Sequence, residues 1–142
     1  MIYLLDTNVV AEISVRPKPD PSVVAWARSL QAHSLYLSVM TLAEIQAGVE
    51  AASDPARQAR YAQALADLRS EYHGRVAEIG EREATAYLAL HKSLKSNGTC
   101  IDPPDALIAA TALANGWTVA SRNTKHLKRT GALLINPWEG LE

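Results

Sequence analysis

The stretch that decides the fold is Ile2-Tyr3-Leu4-Leu5-Asp6-Thr7-Asn8, near the start of the chain. Its first four residues form an uninterrupted apolar run of strand-forming side chains, which predicts a short strand buried on both faces of a parallel sheet. The run ends at Asp6, and Asp, Thr and Asn are residues that commonly begin a helix. The stretch therefore predicts a buried strand, then a helix, with a carboxylate at the carboxyl end of the strand.

The same alternation of strand and helix patterns continues along the chain. Further strands are predicted at 35–39, 75–79, 118–120 and 133–135, and helical patterns at 23–30, 41–50, 55–72, 84–94 and 103–115. Strands that alternate with helices indicate an α/β fold with a mainly parallel sheet of four to five short strands. No internal repeat, linker or low-complexity tract interrupts the pattern, so residues 1–142 are expected to form a single domain.

Composition narrows the class of protein. The chain has 142 residues, 48% of them apolar, and a domain of this size buries roughly 70% of its unfolded surface, enough for a stable core without disulfides. Cys100 is the single cysteine, which excludes a disulfide framework and a thiolate zinc site. No run approaches the ~18 apolar residues of a membrane span, so a cytoplasmic protein without a membrane partner is expected.

The charge of the chain is balanced overall but not locally. With 14 basic and 15 acidic residues the formal net charge is −1, so the whole chain has no strongly basic field to attract nucleic acid. Residues 106–138 contain no acidic residue, however, and four basic side chains fall within eight positions there: Arg122, Lys125, Lys128 and Arg129. These four are candidate contacts to a nucleic-acid backbone, and a solvated basic loop is the alternative.

Three carboxylates are predicted to lie at the carboxyl ends of the strands, where α/β proteins place their reactive crevice. Each has an ordinary structural alternative. Asp6 is a potential cap of the first helix, and Glu44 a potential partner of Thr41 in a capping box. Asp105 lies in the first turn of its helix, where the helix dipole stabilises a carboxylate. As a group they are candidate ligands of one cation, because close carboxylates repel one another and oxygen ligands favour Mg²⁺ or Mn²⁺ over zinc.

These motifs resemble those of the PIN-domain ribonucleases, and within them the VapC-type toxins of bacterial toxin–antitoxin pairs, over nearly the whole chain. Leu-Leu-Asp-Thr-Asn at 4–8 is similar to the opening strand and first acid of the family, Thr-Leu-Ala-Glu-Ile at 41–45 to its second acid, and the helix at 105–114 to its third. The turn Ser-Arg-Asn-Thr at 121–124 resembles the Thr-Arg-Asn or Thr-Arg-Asp turn of the family, and the ending Ile-Asn-Pro-Trp-Glu at 135–139 is similar to that of the FitB-like subgroup. The resemblance implies a PIN-like α/β/α sandwich.

The resemblance also implies an activity and partners. It implies a Mg²⁺-dependent endoribonuclease, with Mn²⁺ as a second possible ion, that hydrolyses phosphodiester bonds of an RNA substrate. Asp6 and Asp105 are then the main expected metal ligands, with Glu44 acting directly or through a bound water and as the acceptor of the water's proton. A VapB-type antitoxin is the implied protein partner. A homodimer is implied as well, and the apolar stripes at 23–30 and 61–72 are either its interface or part of the core.

The chain departs from the family pattern at the fourth acid. Asn123 stands where many relatives carry Asp, and His126 stands three residues later, where others carry it. We interpret Asn123 either as a neutral catalytic residue that binds a metal-bound water or as a turn residue with left-handed backbone angles. His126 is expected to face solvent or an RNA phosphate. The missing acid leaves an alternative function, a catalytically impaired PIN-like protein that binds RNA or a partner protein.

A phospho-aspartate enzyme is a competing interpretation of Asp6, and the tryptophans and His91 are interpreted separately. A phospho-aspartate enzyme also places an Asp after its first strand, but the stretch at 6–8 lacks the second Asp that phosphatases of the haloacid dehalogenase type carry two positions later. The three tryptophans are predicted to pack rather than to stack on bases. His91 lies on the apolar face of its predicted helix and is expected in the core.

Overall fold

The computed structural model describes residues 1–139, and the predicted domain at 1–142 extends past them. The strands are β1 Tyr3–Leu5, β2 Leu35–Ser38, β3 Val76–Ala77, β4 Thr118–Ala120 and β5 Leu133–Ile135. The α-helices are α1 Thr7–Ser14, α2 Pro21–Arg28, α3 Val39–Ala51, α4 Pro55–Glu71, α5 Glu81–Ser96, α6 Pro103–Asn115 and α7 Thr124–Leu127. Single 3₁₀ turns occupy Ala32–Ser34, Lys128–Thr130 and Pro137–Glu139. Within residues 1–139, no helix has both the length and the hydropathy needed to cross a membrane.

The five strands form one parallel sheet in the order β3-β2-β1-β4-β5, which confirms the predicted sheet. The apolar run at the start of the chain supplies the central strand, where Leu5 pairs with Leu37 of β2 on one side and with Ala120 of β4 on the other. Leu4 and Leu5 are both fully buried, on opposite faces of the sheet, because successive side chains of a strand alternate. A strand buried on both faces has to be apolar throughout, as this one is.

Helices cover both faces of the sheet, which confirms the predicted α/β/α sandwich. On one face, apolar residues of α1 to α4 pack with Leu5 in a core that includes Val10, Trp26 and Leu68. On the other face, α6 and α7 pack with Leu4, and α5 lies outside them against the alanine-rich side of α6. The alanines of α6 are buried because their small side chains let α5 approach closely.

The predicted strand at 35–39 and the helix predicted from 41 meet two residues earlier than expected. Strand β2 ends at Ser38, whose hydroxyl accepts the Met40 N–H at 3.0 Å and so caps α3. Thr41 therefore lies inside the first turn, fully buried, and Glu44 lies in the second turn. The predicted capping box of Thr41 and Glu44 is wrong, because a different side chain caps the helix.

The apolar face of α5 also differs from the prediction. Leu90 and Leu94 are the residues that α5 buries against α6, while Leu88 is 66% exposed and His91 is exposed. The prediction of His91 in the core is therefore wrong. The apolar side chains of this helix are spaced so that they fit more than one face, and the contact with α6 selects one of them.

The two apolar stripes at 23–30 and 61–72 contribute to the core. Val23, Trp26, Leu65 and Leu68 are buried in the layer of helices against β1 and β2. The buried members of these stripes are therefore core, while Val24, Leu30 and Tyr61 keep partly exposed side chains.

Tyr72, which ends α4, makes the stability of the fold sensitive to high pH. Burial, with help from the negative charge of Glu71 and against the positive charge of Arg75, raises the pKa of Tyr72 to about 12 from 10.0. The unfolded chain loses this proton at lower pH than the folded chain does. The contribution of Tyr72 to the free energy of unfolding is therefore complete below pH 10 and is lost as the pH rises towards 12.

The free energy of unfolding of the wild type is expected to fall as the pH rises from 10 towards 12. Tyr72→Phe is expected to make this fall smaller by about 2 kcal/mol. Urea unfolding of both proteins from pH 8 to 11.5 measures the difference. The half-buried Tyr87 of α5 offers a matched control, Tyr87→Phe. Equal alkaline slopes for the wild type and Tyr72→Phe would contradict the prediction.

Candidate active site

The predicted site residues lie at the carboxyl end of the sheet, around the point where the strand order reverses. Asp6 directly follows β1 and Ser121 directly follows β4, its parallel neighbour. Glu44 lies in α3, the helix that follows β2, and Asp105 in the first turn of α6, the helix that precedes β4. The chain runs from β1 to β2 on one side and returns to β4 on the other, and such a switch point opens a crevice between the two connections.

Asp6 is a buried carboxylate held by three neutral donors. Its Oδ1 accepts the Thr7 N–H at 2.8 Å, and its Oδ2 accepts the Ser121 hydroxyl at 2.7 Å and the Asn8 side-chain amide at 3.2 Å. The side chain is only 4% exposed. Burial raises the pKa of Asp6, and the hydrogen bonds from Ser121, Thr7 and Asn8 act against that rise. Asp6 is thus the N-cap of α1 and also a buried group of the crevice, so both predicted roles are compatible.

The turn after β4 is fastened to the end of β1 by two polar side chains. The fully buried Ser121 hydroxyl accepts the Asn123 N–H at 3.0 Å and the Asn8 amide at 3.2 Å while it donates to Asp6. Asn8 in turn accepts the Arg122 N–H through its Oδ1 at 3.2 Å. In the sequence, Asn8 and Ser121 stand out only as parts of motifs. Each is a polar residue close after a strand, and this position indicates a shared site only when the two strands are known to be neighbours.

Thr7 connects two of the candidate acids and was missed by the sequence analysis. Its backbone N–H binds Asp6, and its hydroxyl donates to Glu44 Oε1 at 2.8 Å. The Thr7 hydroxyl also lies 3.0 Å from the hydroxyl of Thr41. A single residue therefore contacts the carboxylates of both Asp6 and Glu44.

The pKa of Asp105 responds to the negative charges of the other two acids. The pKa of Asp105 is raised, first by burial and then by the negative charges of Asp6 and Glu44, while the nearby His126 acts against the rise. In the part of the chain that the structure describes, no three His, Cys, Asp or Glu side chains converge closely enough to surround a metal ion. The structure thus brings the three acids to one crevice without closing them into a ligand cage.

The chemistry of this crevice fits a divalent cation. Across residues 1–139 the only ion pair joins Glu12 and Arg16, at 3.3 Å, so no basic side chain pairs with the three acids. A buried carboxylate beside two others, with neutral donors as its only partners, carries uncompensated negative charge. The three acids offer only oxygen atoms as metal ligands, and oxygen ligands are those that Mg²⁺ and Mn²⁺ prefer.

The basic side chains predicted to bind nucleic acid are exposed, in the segment between β4 and β5. Arg122, Lys125, Lys128 and Arg129 are all exposed, in the turn after β4, in α7 and in the 3₁₀ turn that follows it. The Arg122 guanidinium lies 5.0 Å from the centre of the Trp138 ring, a cation–π contact that holds it near the crevice. Trp138 also packs against the core, in line with its predicted role. We call these four residues the basic surface.

Asn123 and His126 are both exposed on the same turn. Asn123 has φ −88° and ψ 43°, outside the left-handed region, so its predicted role as a left-handed turn residue is wrong. Its N–H bond to Ser121 holds the turn instead. The exposure of His126 agrees with the prediction that it faces solvent or a phosphate.

Comparisons with known proteins agree on one family. A sequence model described as the PIN domain matches residues 3–133. The chain is 35% identical to the VapC ribonuclease Y4jK of Sinorhizobium fredii, over 97% of this chain and 99% of that protein. It is also 35% identical to the toxin FitB of Neisseria gonorrhoeae, over 96% of this chain and 99% of that protein.

Solved structures give the same result. The crystal structure of FitAcB from Neisseria gonorrhoeae superposes with a TM-score of 0.88 at 34% identity, over 96% of this chain and 99% of the other. VapBC2 from Rickettsia felis, bound to a DNA fragment from its promoter, superposes with a TM-score of 0.81 at 27% identity, over 96% of this chain and 98% of the other.

Proposed function

This chain belongs to the PIN-domain family, and on that premise we propose that it is a metal-dependent endoribonuclease, the toxin of a VapBC-type toxin–antitoxin pair. One observation carries the proposal. Asp6 is a buried carboxylate at the switch point of the sheet, close to Asp105 and Glu44, and no cationic side chain among residues 1–139 pairs with it. The similarity to a VapC ribonuclease and to the toxin FitB supports the same activity.

Each acid has a distinct proposed role. Asp6 and Asp105 would be the main ligands of the cation, Mg²⁺ or Mn²⁺. Glu44 would contact the cation directly or through a bound water, and would accept a proton from the attacking water through the oxygen that Thr7 does not contact. When bound, the cation lowers the pKa of water and offsets negative charge on the phosphate oxygens. The side-chain amide of Asn123 orients a water or the phosphate without adding charge.

The partner of the chain is proposed to be a VapB-type antitoxin. The FitAcB and VapBC2 structures are toxin–antitoxin assemblies, which supports this class of partner. A homodimer is part of the proposal. Light scattering on the purified chain tests the dimer, and the mass of a single chain at micromolar concentration would contradict it.

Cleavage of a structured RNA pool tests the activity. We expect the purified chain to cut RNA with Mg²⁺ or Mn²⁺ and to stop when EDTA removes the ion. The same ions are expected to raise the melting temperature, because they bind only the folded state. Absence of cutting, with antitoxin or RNA binding intact, would contradict the ribonuclease and favour the impaired binding protein.

The basic surface is expected to bind the RNA backbone without reading its sequence. We expect Lys128→Gln and Arg129→Gln each to weaken RNA binding at every cleavage site alike and to lower the slope of log affinity against log salt by about 0.7. Fluorescence anisotropy at 50 to 300 mM salt measures the slope. The control is Arg57→Gln on the exposed side of α4. Unchanged slopes would leave the basic surface as a solvated loop.

Restoring an acid after β4 is expected to strengthen metal binding. Asn123→Asp adds a negative charge to the turn that Ser121 holds against Asp6. Coulomb attraction between the added carboxylate and a cation held by Asp6 predicts that Mn²⁺ binds at least about three-fold more tightly. Titration calorimetry measures it, and unchanged or weaker binding would contradict the proximity of Asn123 to the cation.

A further inference from the structure

The hydroxyl groups of Thr41 and Thr7 form a hydrogen-bonded chain that ends on Glu44. The Thr7 hydroxyl donates to Glu44 Oε1 at 2.8 Å, and the two threonine hydroxyls are 3.0 Å apart. A hydroxyl has one proton to donate. Because Thr7 gives its proton to the carboxylate, Thr41 has to be the donor of the second bond. The order of donation is therefore Thr41 to Thr7 to Glu44.

Thr41 lies in the first turn of α3, where the residue four positions before it, Leu37, belongs to β2 and offers no helical carbonyl. A helical threonine commonly donates to the carbonyl four residues before it. Thr85 does so to Glu81, and Thr111 does so to Leu107. Thr41 is as fully buried as Thr111, but its hydroxyl meets a side chain of another helix, 34 positions away in sequence.

Thr7 also contacts both acids at once. Its N–H binds Asp6 at 2.8 Å, and its hydroxyl binds Glu44 at the same distance. The N–H is fixed by the start of α1, whereas the hydroxyl can rotate. The bond from Thr41 removes that rotation and polarises the Thr7 hydroxyl, which strengthens its bond to the carboxylate.

We infer that Thr7 and Thr41 are positioning residues for Glu44: Thr41 orients the Thr7 hydroxyl, and Thr7 holds the Glu44 carboxylate at a fixed place relative to Asp6. The inference rests on the proposed ribonuclease function. Outer partners that orient a metal-site carboxylate affect metal affinity or activity by about 10-fold to 100-fold when removed. Neither threonine touches the RNA or the cation in this account.

The test uses RNA cleavage and Mn²⁺ calorimetry on the full chain. Thr7→Val is expected to lower kcat by about 10-fold to 100-fold with little change in KM, and Thr7→Ser, which keeps the hydroxyl, to restore most of the loss. Thr41→Val is expected to act in the same direction by a smaller factor. Thr85→Val and Thr111→Val are the controls for an exposed and a buried threonine, and both are expected to cleave like the wild type.

A double-mutant cycle separates positioning from a general effect on the fold. Thr7→Val alone is expected to weaken Mn²⁺ binding. In a chain that already carries Glu44→Gln, Thr7→Val is expected to cause no further loss of Mn²⁺ affinity, because the carboxylate that Thr7 positions is gone. Additive losses, or failure of Thr7→Ser to restore kcat, would overturn the inference while leaving the ribonuclease in place. A wild-type chain that neither cuts RNA nor binds Mn²⁺ would overturn the proposed function, and the inference with it.

Discussion

Asp6→Asn is expected to abolish metal-dependent RNA cleavage, with kcat lower by at least about 100-fold, more than the loss of an outer partner causes. The substitution removes the buried charge that holds the cation. It keeps an oxygen that accepts the Thr7 N–H, so α1 retains its cap. Two effects on the melting temperature of the metal-free protein oppose each other. Burial no longer opposes a charge at this position, but the new amide nitrogen cannot accept the bonds from the Ser121 hydroxyl and the Asn8 amide that Oδ2 accepts.

Loss of activity together with loss of the Mn²⁺-dependent rise in melting temperature distinguishes a metal ligand from a structural acid. Cleavage assays and thermal unfolding with and without Mn²⁺ measure the two quantities on the same samples, and the rise in melting temperature caused by Mn²⁺ should disappear in Asp6→Asn. Asp54→Asn is the matched control, because Asp54 caps α4 through the Ala56 N–H on the exposed surface. A variant that retained cleavage, or whose melting temperature Mn²⁺ still raised, would contradict the role of Asp6.

Ser121→Ala is expected to lower both stability and activity. The buried hydroxyl donates to Asp6 and accepts the N–H of Asn123 and the amide of Asn8, so its removal leaves two donors without this acceptor. Buried groups left without a partner cost about 1–3 kcal/mol each, so we expect the free energy of unfolding to fall by about 2 kcal/mol. The turn after β4 then loosens, and kcat is expected to fall by about 10-fold to 100-fold.

Chemical denaturation and cleavage assays on the same preparation measure these two losses. Ser96→Ala, which removes an exposed hydroxyl bonded to the Lys92 carbonyl in α5, is the control and should change neither quantity. Wild-type cleavage in Ser121→Ala would show that the orientation of Asp6 does not depend on this hydroxyl.

The strands and the class of fold were predictable because their signals are local. A four-residue apolar run and short runs of β-formers separated by helical spacing define a parallel α/β sheet wherever they occur. The helix boundaries were less predictable, since Ser38 and Thr41 both suit a cap, and only the end of β2 decides between them. The face of α5 was also ambiguous, and packing against α6 decided that Leu90 and Leu94 are buried and His91 is not.

For the candidate site too, the sequence predicted one part, the three acids, and did not predict the contacts that hold them. Asp6, Glu44 and Asp105 were identified by their position after strands or at helix starts, together with their resemblance to the motifs of one family. The contacts that hold them were not predictable, because they join residues far apart in sequence. Ser121 meets Asp6 across 115 positions, and Thr41 meets Thr7 across 34.

The sequence by itself determined which segments form strands and helices, and which acids stand at their ends, because hydrophobic period and capping chemistry act over a few residues. Only the tertiary structure decided that β4 pairs with β1, that Ser121 and Asn8 orient Asp6, and that Thr7 joins Asp6 to Glu44. The physical reason is that a polar group acquires such a role from the partner that burial brings within about 3 Å, and the order of strands in the sheet selects that partner.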